Sequence, residues 1–196
     1  IGRLDEAERQ LEHLDPTPLP PPLRTAHELV VAGIAMRRID MKTARAALAR
    51  AQQAARQARI PALIAEAESA ALLLDAPAAR LIAQGRERPL LLDEVEKLFA
   101  SKALIIDACR HAVRDRKTIV SLATRPVLFA LARALAEAWP GDVARDVLLA
   151  RAFGAKHADE SHRARLRVEI GRLRQKLGKL ARLSATDRGF ALEPPM

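Results

Sequence analysis

The spacing of apolar residues changes character along this chain, and each change marks an element. From Leu23 to about Ala83 nearly every residue favours helix, with breaks at Asp40 and Pro61 that divide the stretch into two or three helices. Leu29, Ala32 and Met36 share one face of the first, and Ala44, Leu48 and Ala51 share one face of the second, which is the i, i+3 or i+4, i+7 repeat of packed helices. Ahead of them, DPTPLPPP at Asp15 to Pro22 predicts an extended polyproline stretch that no helix runs through. Behind them, the exposed Arg and Pro of GRERP, Gly85 to Pro89, predict a linker, and Asp93 predicts the cap of a short helix, Glu94 to Ala100.

Beyond Ser101 the runs shorten. ALII, CRHAV and TIVSL are β-prone segments separated by Asp107 and by the turn DRK at Asp115 to Lys117, a pattern that predicts a small antiparallel sheet. Thr124 and Pro126 open a helix over VLFALARALAEA that ends near Trp139-Pro140-Gly141. A second helix is expected from about Ala144 to Phe153, stopped by Gly154, and a third after Ala158-Asp159-Glu160-Ser161 as far as Leu177. LSATDRGFAL alternates around a glycine turn as a hairpin does. The expected fold is mainly α, of the α+β class, with a helical module over residues 1–100 and a second domain over 101–196.

Charge sharpens that division. Residues 1–100 hold 14 Lys/Arg against 14 Asp/Glu, whereas residues 101–196 hold 19 against 10, so the second half carries the whole net charge of +9. A basic domain joined to a neutral one is the electrostatic footprint of a polyanion binder. Aromatics are only 3% and Tyr is absent, which makes sheet the minority element. A single cysteine, Cys109, excludes an intramolecular disulfide and fits a reducing cytoplasm. No uncharged apolar run approaches the roughly 18 residues of a membrane span. Ile1 in place of an initiator Met reads as the start of a fragment.

The order of a small sheet, three helices and a C-terminal hairpin carries linked motifs: LIIDACRHAVRDRKTIVSLATRPVLFALARAL, GDVARDVLLARAFG, SHRARLRVEIGRLRQKL and SATDRGFAL. On these motifs residues 103–196 resemble the OmpR/PhoB-type winged-helix domain, the DNA-binding output module of bacterial response regulators. The preceding helical pair resembles one hairpin of a tetratricopeptide-like repeat. Such arrays need about three units, so the segment is expected to end an array begun upstream or to form a small dimerisation or sensing unit. The first hundred residues show no receiver pattern of alternating strands and helices, which leaves phosphorelay control without a sequence basis.

The third helix can also be read physically. Leu166, Ile170, Leu173 and Leu177 form one apolar stripe, opposite a crest of Ala164, Val168, Gly171 and Gln175. Arg165 and Arg172 flank the crest on one edge and Arg167 on the other. Small crest residues let a backbone sink into a major groove while flanking arginines reach phosphates or guanine edges. Glu169 alone interrupts Arg163, Arg165, Arg167, Arg172, Arg174, Lys176, Lys179 and Arg182, although a merely soluble surface would mix signs. The expected DNA contacts are Ser161, His162, Arg163, Ala164, Arg165, Arg167, Val168, Arg172, Arg174 and Lys176, with Arg188 at the hairpin tip. Where the family continues from the wing glycine to a second glycine and Tyr, this chain reads DRGF, which places Phe190 at the aromatic core position and implies a short wing.

The remaining chemistry-bearing residues read as structural. His111, His157 and His162 lack metal-ligand spacing with Cys109, which is expected in the core, and Trp139 is expected to close the core or a loop. Asp93, Glu94 and Glu96 form no paired-carboxylate site, and no nucleotide-binding or nucleophile motif appears. No cofactor, no metal and no enzymatic activity are expected. The expected function is bacterial transcriptional regulation by a cytoplasmic protein, with double-stranded DNA as partner, a homodimer and RNA polymerase as further partners implied by the resemblance, and no membrane. The alternative is a helical scaffold whose basic winged helix binds protein or RNA.

Overall fold

The computed structural model describes residues 3–154 and 160–194. The chain divides into two compact units, one of residues 1–80 and 89–97 and the other of 81–88 and 98–196. Among the described residues the fold is mixed α/β, with eight helices and three small sheets.

In the first unit, α1 (Leu4–Glu12), α2 (Pro21–Arg38), α3 (Met41–Ala58) and α4 (Pro61–Leu72) follow one another. Pro21 and Pro22 form the first turn of α2 rather than the end of an extended stretch. The first turn of a helix has no use for their missing N–H groups, and their fixed φ is already helical. Ile39 in the left-handed region ends α2, and Asp40 then caps α3 by accepting from the Thr43 backbone N–H at 3.0 Å and from its hydroxyl at 2.7 Å. The seam between the two helices is alanine-rich: Ala32, Ala35, Ala44 and Ala47 are buried with Met41 and Leu48. Leu29 and Met36 pack against this cluster, and Ala51 joins a second with Ala55 and Ala67.

GRERP is not a linker. It supplies the turn and most of β2 (Arg86–Leu90), which pairs with β1 (Ala79–Ala83) in a two-stranded ribbon. Its charges decorate exposed strand positions, which is how an edge strand avoids further pairing. Asp93 does not cap the next helix, α5 (Leu92–Ala100). Glu94, three residues past Leu91, reaches back to accept the Leu91 N–H at 3.0 Å, the arrangement of a capping box, while Asp93 pairs with Arg45.

The second unit opens with an antiparallel meander of β3 (Ile105–Asp107), β4 (Ala112–Arg114) and β5 (Ile119–Ser121), with Val113 facing Ile106 and Val120. Cys109 is exposed rather than in the core. The Asp107 carboxylate accepts from the backbone N–H groups of Cys109 and Arg110 at 3.0 and 3.1 Å, and this Asx turn carries the thiol outward. Three helices follow: α6 (Pro126–Ala138), α7 (Arg145–Phe153) and α8 (Glu160–Leu177). Trp139, just past α6, is 37% exposed and does not close the core. The second sheet has the order β6-β8-β7, with β7 (Arg182–Ala185) and β8 (Gly189–Glu193) forming the expected hairpin. Its third strand, β6 (Asp142–Ala144), was not expected. Leu128, Leu131, Leu135, Leu148, Leu149, Leu183, Phe190 and Leu192 join the buried side of α8 in one core.

Candidate nucleic-acid interface

The buried side of α8 is the stripe read from the sequence. Leu166, Ile170, Leu173 and Leu177 are each at most 2% exposed. At 100° per residue this fixes the opposite side of the helix, where Ala164 and Gln175 are exposed and Val168 is 53% exposed. At Gly171 a Cβ would meet nothing within 4 Å. Among the described residues the crest is thus low and open at Gly171.

The flanking cations differ in how they are held. Arg165 lies over the Phe153 ring, 4.6 Å from its centroid, so the last residue of α7 supports it. Arg167 and Arg163 approach Glu160 at 3.0 and 3.9 Å. Arg172 pairs with Glu169 at 2.6 Å, with the carboxylate side chain 13% exposed and the guanidinium 55% exposed. The two pairs with Glu160 are exposed on both sides and weak enough for a phosphate to displace. Arg174 departs from the rest of the expected set: its Nε donates to the Leu183 carbonyl at 2.9 Å, which ties α8 to β7. Ser161, Lys176, Lys179 and Arg182 are exposed and His162 is half-buried.

The hairpin turn is anchored by residues that sequence reasoning missed. Arg145, the first residue of α7, donates from Nη1 to the Asp187 carbonyl at 2.8 Å and from Nη2 to the Thr186 carbonyl at 3.1 Å. Its backbone N–H donates to the Arg188 carbonyl at 3.2 Å. The Thr186 hydroxyl donates to Asp142 at 2.6 Å and accepts from the Gly189 N–H at 2.9 Å. Exposed Arg188 therefore projects from a turn whose backbone is held at three successive carbonyls. Phe190, beneath it, is 7% exposed, in the core position expected for it. No sequence signal marks Arg145, because backbone carbonyls 41 and 42 residues away receive its side chain.

His157 and the lead-in Ala158-Asp159 lie outside the described residues. His111 stacks edge-on against Phe129 at 4.7 Å, and among the described residues no group of three His, Cys, Asp or Glu could hold a metal ion. No described helix is long and apolar enough to cross a membrane. Comparison with family models, with curated proteins and with solved structures gives no match.

Proposed function

We propose that the second unit is a winged-helix reader of double-stranded DNA, in which α8 lies in the major groove and Arg188 reaches the adjoining minor groove. The observation that carries this reading is the division of α8: four apolar residues are buried, and the open side is a low crest edged by exposed arginines. α7 ends at Gly154 in the left-handed conformation, and α8 begins at Glu160, so the two have the order of a helix-turn-helix. Helices of this kind read base edges from the crest and position themselves through flanking phosphate contacts. Ser161, His162, Arg163, Ala164, Arg165, Arg167, Val168, Arg172 and Lys176 are the proposed contacts. Arg174 serves chiefly to position the wing hairpin.

In this reading the protein is a bacterial transcriptional regulator that binds tandem half-sites as a homodimer and works with RNA polymerase, and the helical unit does the sensing or pairing. It has no enzymatic role. Selection of bound sequences from a random duplex pool tests the proposal. Enrichment of a motif about one helical turn or less per protomer supports it, whereas no duplex retention alongside RNA or protein binding would replace it with the scaffold reading.

A further inference from the structure

The crest of α8 differs from the rest of its exposed surface, because its middle carries no side chain that can hydrogen-bond a base. Ala164, Val168 and Gly171 follow one another at i, i+4 and i+7, and on the same side only Ser161 ahead of them and Gln175 behind them are polar. Val168 stands at the centre and is 53% exposed. Gly171, three residues on, has no side chain with which to cover it, and an added Cβ there would meet nothing within 4 Å among the described residues. Arg165 and Arg172, at i−3 and i+4 from Val168, are held by other groups: Arg165 lies over the Phe153 ring, and Arg172 is paired with Glu169.

Hydrocarbon at this place limits what the helix can read. In the major groove adenine, cytosine and guanine present donors and acceptors, and a valine set against one of them leaves a polar group without water or a partner. Thymine presents its C5-methyl group as well. We propose that α8 selects a thymine through Val168, whose methyl groups pack on that C5-methyl. A β-branched side chain in a helix keeps to one strongly preferred rotamer, so the contact forms with little freedom to lose. The bare backbone at Gly171 lets the helix come near enough for it. This assignment rests on α8 being a major-groove helix, and it names the base that the centre of that helix requires.

The test is substitution of deoxyuridine for thymidine, one position at a time, in a duplex selected by the full chain from a random pool. Uracil lacks only the C5-methyl and pairs with adenine as thymine does. At one thymine per bound protomer the change should weaken binding about fourfold, the worth of one buried methyl group. Val168→Ala places a better helix former at an exposed position and should fold as the parent does. It should bind the thymine duplex more weakly and lose most of its sensitivity to uracil at that position, since the partner of the methyl is gone. Neither change removes a charge, so the dependence on salt should stay the same. Duplex binding with no uracil-sensitive thymine, a selected motif without thymine, or sensitivity undiminished in Val168→Ala would overturn the assignment while leaving duplex binding in place. Failure to retain any duplex would overturn both.

Discussion

Gly189 lies so close to Val143 that a Cβ at position 189 would collide with the Val143 carbonyl oxygen and stand 2.8 Å from its carbonyl carbon. Strand β6 can pair with β8 only because this residue has no side chain, and the Val143–Phe190 register next to it brings Phe190 into the core. Gly171 is the opposite case, since a Cβ there enters open space. Gly189→Ala should therefore destabilise the second unit by about 1–3 kcal/mol through overpacking. Gly171→Ala should stabilise it by about 0.5–1 kcal/mol through helix propensity. Urea unfolding of both variants checks the pair. If the crest of α8 enters a groove, Gly171→Ala should weaken duplex binding despite its added stability.

Arg145 gives a second test. Removing its guanidinium by Arg145→Ala leaves the Thr186 and Asp187 carbonyls without their donors, at a cost of about 0.5–1.5 kcal/mol per bond at most, reduced by water. The clearer readout is local. Amide exchange at Gly189 should accelerate in Arg145→Ala while exchange at Ile170 changes little, and duplex affinity should fall through the misplaced Arg188. Unchanged exchange at Gly189 would show that Asp142 and Thr186 hold the turn without Arg145.

The sequence made some of this legible and hid the rest for definable reasons. The stripe from Leu166 to Leu177 was readable because one 3.6-residue period over 18 residues admits one buried face. Strand β6 was not, because three residues, Asp142 to Ala144, carry no period. Two expectations fail at the β1–β2 ribbon: Ala79–Ala83, at the end of the stretch whose composition favours helix, is strand because it pairs with β2, and GRERP predicts a linker from charges and a Pro89 that equally suit an edge strand. Cys109 is expected in the core because it lies in a β-prone run. The decisive feature was the Asp107 side chain, which competes with the strand for backbone N–H groups.

Acid should weaken the second unit through Glu137. Burial pushes its carboxyl up, but hydrogen bonds from Arg133 and Arg151, at 2.7 and 2.6 Å, with their charges, more than reverse this and hold it below its ordinary value. A carboxyl depressed in the folded state contributes stability above its unfolded pKa, and that contribution is lost as pH falls through the folded value. Unfolding free energy should accordingly decline from about pH 5 downward, and less so in Glu137→Gln. Parallel pH profiles for the two proteins would remove Glu137 as a source of acid sensitivity.

Salt separates duplex binding from other associations. If about five phosphates are neutralised, log affinity against log salt should have a slope of about −4 to −5. Arg167→Ala should weaken all duplex sequences alike and reduce the slope by about one if it meets a phosphate. A slope near zero would remove the DNA reading altogether.

Arg172 and Glu169 allow the docking face itself to be tested. Ile170→Ala empties a position that is 1% exposed and should cost about 2–5 kcal/mol of stability. Arg172→Ala should cost far less, but not nothing, because it deprives the mostly buried Glu169 carboxylate of its partner. The informative variant is Glu169→Gln, which frees Arg172 and removes the acid paired with it. Duplex affinity should rise in Glu169→Gln and fall in Arg172→Ala, and the double variant should lose part of the gain if Arg172 is the group released toward DNA. When Arg172 grips a guanine, its removal should relax specificity at one base pair by about 1–3 kcal/mol; when it meets a phosphate, all sequences weaken together. A gain in Glu169→Gln that persists undiminished without Arg172 would mean that the acid acts only through the general field. Arg172 would then point away from the duplex, and the major-groove face of α8 would have to be rotated toward Arg167.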